Sequence, residues 1–113
     1  MEPKFLKPEE MKCIMVMNGV YANPLYLDDQ LMILRMQVYE DVPIHSHENI
    51  QVGVVVDGKG VFIIDGEEIP VEKGSFFTIP GNVGHGVRVI ETPLIVIDMF
   101  RPPREDYRKL FEE

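Results

Sequence analysis

Residues 43–58 read P-I-H-S-H-E-N-I-Q-V-G-V-V-V-D-G. The β-branched content and the closing Asp57-Gly58 turn signal mark this stretch as extended chain. Successive side chains of a strand point to opposite faces, so His45 and His47 emerge side by side on one face. Gln51 adds a carbonyl oxygen just beyond them. The third and last histidine of the chain, His85, lies in a second glycine-punctuated segment, I-P-G-N-V-G-H-G over residues 79–86. Three ring nitrogens and one neutral oxygen carried on strands form a donor set for one divalent metal ion. Imidazole and oxygen together suit Ni, Zn, Fe, Mn, Co or Cu and do not choose among them.

Outward from this stretch the chain repeats one theme, short apolar or alternating runs bounded by turn residues. Residues 13–17 are apolar and close on Asn18-Gly19, and residues 20–27 are interrupted by Asn23-Pro24. Residues 31–39 alternate, with Leu34, Met36 and Val38 on one face and Arg35, Gln37 and Tyr39 on the other. Residues 50–56, 61–64, 68–71, 75–79, 85–90 and 94–100 follow as strands. Turns are expected between them at residues 57–60, at Asp65-Gly66, Lys73-Gly74 and Pro80-Gly81-Asn82, and at Thr92-Pro93. Many short strands without a crossover helix predict an all-β fold, an antiparallel sandwich or barrel. The expected organisation is an N-terminal arm over residues 1–12, a barrel over 13–101, and a charged tail or short helix over 102–113.

A chain of 113 residues is one domain, long enough to enclose a core without staples. With 19 acidic against 11 basic residues the net charge of −8 has the wrong sign for nucleic acid or an anionic membrane surface. Cys13 is the single cysteine, so no internal disulfide can form. No apolar run approaches the ~20 residues of a membrane span, and the polar N-terminus lacks the core of a signal peptide. A cytoplasmic setting is the expectation.

The run over residues 94–100, L-I-V-I-D-M-F, is apolar on both faces apart from Asp98. A carboxylate buried there is pushed upward in pKa by desolvation, which suits general acid–base work; the alternative is a structural ion pair with a nearby arginine. Gln51 has two readings as well, a direct metal ligand or a hydrogen-bond partner behind the ligands. Gly53 shares the parity of Gln51 and either leaves open space beside the metal or marks a β-bulge. Arg35, Arg88 and Arg101 fall at outward positions and read as surface charges.

His45-x-His47 followed by Gln51 and Gly58 resembles the first motif of the cupins. Gly74, Pro80 and His85 resemble the second. The resemblance spans roughly residues 31–100 and implies a cupin double-stranded β-helix, a small jelly-roll barrel, with His45, His47, Gln51 and His85 holding a divalent metal in its mouth. Four positions depart from the pattern. Tyr39 and Asn82 stand where glycine is usual, Gln51 where glutamate is usual, and Val89 where asparagine often ends the second motif. Asparagine tolerates left-handed backbone, so Asn82 is a mild change. Gln51 matters more: a neutral donor leaves the metal more positive than glutamate would, favouring Lewis-acid over O₂ chemistry.

Asp98-x-Phe100 followed by Arg104 and P-R-E-D-Y is similar to the end of the KdgF-type pectin-degradation cupins. That resemblance implies a metal-dependent enzyme that opens the ring of 4,5-unsaturated monouronates, from pectin or alginate, to linear keto acids. Asp98, Phe100 and Arg104 are then the implied catalytic residues. Asp98 would shuttle a proton, Arg104 would hold the carboxylate of a small anionic sugar acid, and Phe100 would wall the pocket. The alternatives are another metal cupin enzyme (a dioxygenase, isomerase or epimerase) and a non-catalytic sugar- or metabolite-binding cupin. A homodimer, joined through the N-terminal arm, is implied by resemblance to small cupins.

Overall fold

Eight strands follow one another with no helix between them: β1 (Ile14–Met17), β2 (Val20–Leu27), β3 (Met32–Val38), β4 (Val42–His45), β5 (Ile50–Ile64), β6 (Glu67–Glu72), β7 (Phe76–Ile79) and β8 (His85–Arg101). Short 3-10 helices at Pro8–Glu10 and Glu105–Phe111 frame them. The computed structural model describes residues 2–112, so Met1 of the expected arm and Glu113 of the expected tail lie outside the described residues. Every strand pairing is antiparallel. Along the sheet the order is β1-β2-β3-β8-β5-β6, with β4 also on β8 and β7 also on β5.

β5 and β8 are the two long strands, and each serves both layers of a jelly roll. From Leu94 onward β8 pairs with β3 and with the first half of β5; its earlier part pairs with β4 and the second half of β5. The turns expected at residues 57–60 and at Thr92-Pro93 are therefore corners inside continuous strands. The register shifts between Val55 and Gly60 let β5 bend while it stays paired. Gly58 makes the corner possible: its φ is +81°, and a Cβ there would lie 2.4 Å from the Pro93 carbonyl oxygen. β2 likewise runs through Asn23-Pro24, the proline being absorbed by a register shift before Tyr26.

The alternation over residues 31–39 appears as read. Leu34, Met36 and Val38 are buried in the core, and Tyr39 is exposed. Arg35 and Gln37 point outward but are not free: both donate to Asn23 Oδ1, at 3.0 and 2.9 Å. The Asn23 amide in turn donates to the Met11 and Lys12 carbonyls and ties the arm to the sheet. Arg88 pairs with Glu68 at the surface, and Arg101 is exposed. The segment after β8 packs against the barrel, with Leu110 in the core and Tyr107 and Phe111 against it. Among the described residues no helix is long and apolar enough to cross a membrane.

Candidate metal centre

His45 ends β4 and His85 begins β8, and the two are register partners. His47 lies in the loop between β4 and β5, and Gln51 sits on β5 opposite Phe100. Two contacts hold that loop. The Asn82 N–H donates to the His47 carbonyl at 2.7 Å, from a turn in which Asn82 has φ +65°, the left-handed geometry its side chain tolerates. The Asn49 amide donates to the Pro102 carbonyl at 2.6 Å and joins the loop to the end of β8.

Each imidazole is oriented in the same way. The Nδ1 atoms of His45, His47 and His85 lie 2.9, 3.0 and 2.8 Å from the carbonyl oxygens of Pro43, Asn49 and Val83. A carbonyl only accepts, so in the neutral ring Nδ1 carries the proton and Nε2 keeps its lone pair. One donor atom from each ring lies within 4.8 Å of the others. Two nitrogens bound ~2.0–2.1 Å from one metal lie at most about 4.2 Å apart, so ligation would draw the rings inward.

Two further observations fit a cation. His85 Nε2 is buried with no hydrogen-bond partner, which left uncompensated costs about 1–3 kcal/mol. Gln51 Oε1 lies 3.2 Å from His47 Nε2. With Nδ1 protonated both of these atoms are acceptors, and a positive charge between them resolves the opposition. The residues fit a divalent metal held by three Nε2 atoms and the Gln51 oxygen.

Gln51 also reaches the carboxyl. Its amide donates to Asp98 Oδ1 at 3.0 Å, which fixes the side chain with oxygen towards the histidines and nitrogen towards Asp98. Asp98 is 6% exposed. Burial raises its pKa to about 7, against the opposing pull of the Gln51 hydrogen bond and the Arg104 charge. Burial also lowers His85 to about 4, and it lowers His47, with the Arg104 charge acting in the same direction. Imidazoles held neutral in this way are in the state a metal needs. Gly53 is paired regularly with Asp98 and Phe77, without a bulge. It leaves no open space: a Cβ there would lie 2.4 Å from Phe77 Cζ and 2.8 Å from Asp98 Oδ1. The missing side chain makes room for the carboxyl itself.

Phe100 is 2% exposed and meets His47 edge-on, ring centroids 5.6 Å apart. Arg104 lies beyond it, with Cζ 5.2 Å from the Phe100 centroid and 4.0 Å from that of Tyr107. Its fork is engaged by Asp106, Nε donating to Oδ1 at 3.2 Å and Nη2 to Oδ2 at 2.8 Å. The structure thus brings His45, His47, Gln51, His85 and Asp98 into one cluster, with Phe100 beside His47 and Arg104 at the rim. Sequence reasoning missed Asn49, Tyr107 and Asp106. Only the last two carried a signal, standing within the charged and aromatic run that follows Arg104.

A cavity of about 100 Å³ reaches from Arg104 and Tyr107, past His45, Gln51, His85 and Asp98, to Met36, Val38 and Leu94.

A family model described as a cupin domain matches residues 32–100. KdgF from a Halomonas species superposes with a TM-score of 0.84 at 27% identity, over 93% of this chain and 98% of that one. An RmlC-like cupin from Shewanella frigidimarina gives 0.83 at 28% identity, over 94% and 96%. An acireductone dioxygenase from Leptospira biflexa is 35% identical over 80 residues, 66% of this chain and 45% of that protein. The chain thus spans less than half of that relative.

Proposed function

Because this chain belongs to the cupin family, we propose that its histidine cluster is the metal centre of an enzyme in which a Lewis acid and Asp98 act together on a small anionic substrate. One observation carries this reading: Gln51 bridges the two, 3.2 Å from His47 Nε2 on one side and 3.0 Å from Asp98 Oδ1 on the other. A bound divalent metal would supply polarisation of a substrate oxygen. A buried carboxyl titrating at about 7 both gives and takes a proton near neutrality.

The reaction we assign is the opening of 4,5-unsaturated monouronates, supported by the likeness to KdgF and the Asp98-x-Phe100 and Arg104 pattern. Asp98 takes the proton of the anomeric hydroxyl as the bond from C1 to the ring oxygen breaks. The freed enol then gains its proton at C4 and becomes the linear keto acid, an isomerisation in which no atom is lost. Arg104 offers the substrate carboxylate the N–H groups that Asp106 leaves free, and Phe100 walls the site beside His47. The test is loss of enol-ether absorbance when metal-loaded protein meets unsaturated galacturonate. A rate no faster than the spontaneous one, with metal bound, overturns the assignment.

A dioxygenase is the second reading, favoured by the 35% identity to acireductone dioxygenase. Oxygen consumption by iron-loaded protein, absent with zinc, would select it. A cytoplasmic homodimer belongs to the same proposal. Phe5 of the arm is 96% exposed and Met15 of edge strand β1 is 60% exposed, apolar surface that a second copy would cover. Light scattering at twice the monomer mass is the expected result.

A further inference from the structure

The cavity beside the metal centre has two chemically different ends. The layer with Gln51, Asp98, His45 and His85 carries the polar groups of the cavity, with Ile79 and Phe100 beside them. One strand step further in, Val96 faces Met36 in register, and beyond it Leu94 faces Val38. From the opposite layer Val42 and Val87, also register partners, line the same cavity. Each step is ~6.6–6.8 Å along the strand, so the inner compartment lies well below the carboxyl of Asp98.

Among these six side chains only the Met36 thioether is even a weak acceptor and none is a donor, and the backbone groups around them are committed to the sheet. A hydroxylated carbon placed there would lose its water partners without replacement. An alkyl group would lose nothing and would fill apolar space. The polar end makes the opposite demand. Its imidazole nitrogens and amide oxygen would hold a cation, to which a ligand with two adjacent oxygens would bind, with Arg104 at the rim as counter-charge to a carboxylate.

We infer that the inner compartment is a binding site for an unbranched aliphatic chain, and that the centre takes short-chain 2-oxo or 2-hydroxy acids as a ligand class beyond unsaturated uronates. The acid head sits at the metal layer and the chain runs down between Met36, Val96, Val42 and Val87. This rests on the metal centre proposed above and is independent of the ring-opening reaction.

The experiment is calorimetric titration of the zinc-loaded full chain, zinc stoichiometry being measured first, with pyruvate, 2-oxobutanoate, 2-oxopentanoate and 2-oxohexanoate. Affinity is expected to rise about fourfold with each methylene until the compartment is full and then to fall. In Met36→Ala the optimum is expected to move to a longer chain. Equal affinity along the series, or weakening from pyruvate onward, overturns the inference, and so does a rising series whose optimum Met36→Ala leaves in place. Should that variant not fold, the wild-type series decides alone. Absence of bound zinc overturns both this inference and the metal centre. A rising series without uronate turnover removes only the ring-opening assignment; uronate turnover with a flat series removes only this inference.

Discussion

The outer and inner halves of the barrel interior are built from the same strands and differ in one respect. In the outer half polar groups follow one another from the backbone carbonyls through the imidazoles and Gln51 to Asp98. His85 Nε2, buried without a partner, and the facing acceptors His47 Nε2 and Gln51 Oε1 are the atoms a cation would satisfy. In the inner half there is nothing to satisfy, only space between Met36, Val38, Leu94 and Val96. Substitutions above should therefore change chemistry with modest effects on folding, and substitutions below should change stability with modest effects on chemistry.

The largest effect is expected from His85→Ala, which removes a buried imidazole that the proposed metal centre requires. Metal affinity should fall by more than the ~10–100-fold that loss of a supporting hydrogen bond costs, with metal content after dialysis as the readout. Asp98→Asn should keep the metal and lose ~10²–10⁴-fold in turnover. The same variant carries a pH signature in metal-free protein. The folded pKa of Asp98 lies above the ordinary 3.8, at about 7. The folded state therefore binds more protons in that interval, and stability drains away as pH rises through it. Asp98→Asn should gain stability relative to wild type from pH 4 to 7. His85 acts in the opposite sense: its folded pKa is lowered from 6.5 to about 4, so its contribution is present above that window and is lost as pH falls through it. Urea midpoints across pH 4–8 would separate the two.

Gln51→Glu sharpens the contrast within the outer half. It would set a second carboxylate where the amide now donates to Asp98 Oδ1 at 3.0 Å. Metal binding should tighten and the pH midpoint of turnover should move upward, because like charges at that distance resist joint ionisation. Gly53→Ala is the exception in the outer half: its Cβ forces Phe77 and Asp98 aside and should cost about 1–3 kcal/mol of stability. The smallest effect belongs below: Val38→Ile places one methylene in the cavity and should add at most ~0.8 kcal/mol. A loss of stability instead would show that the inner space is already filled.

Much of this contrast was legible in the sequence. The His45-x-His47 spacing marks the pair, although His47 lies in the loop after β4 and not on one strand with His45, and Asp98 stands out as the one charge in an apolar strand. The antiparallel all-β fold follows from turn signals, except where glycine and proline mark corners, and the jelly roll follows from the resemblance to cupins. Gly58 and Pro93 look like turn residues locally, yet they are required where β5 and β8 cross, a contact set by the register of strands some forty residues apart. Tyr107 and Asp106 were hidden for a related reason. Nothing local says that residues beyond the last strand fold back onto Arg104, and Asn49 finds its partner in Pro102 only once the barrel has closed. Gly53 was visible, but its meaning required knowing that Asp98 lies opposite.

Anomalous diffraction from crystals of this protein grown with zinc tests the metal centre directly. A single strong peak bonded to Nε2 of His45, His47 and His85 and to Oε1 of Gln51, with the Gln51 amide still on Asp98, is the predicted result. A peak elsewhere, ligation through Nδ1, or a Gln51 side chain turned away from the zinc would contradict it.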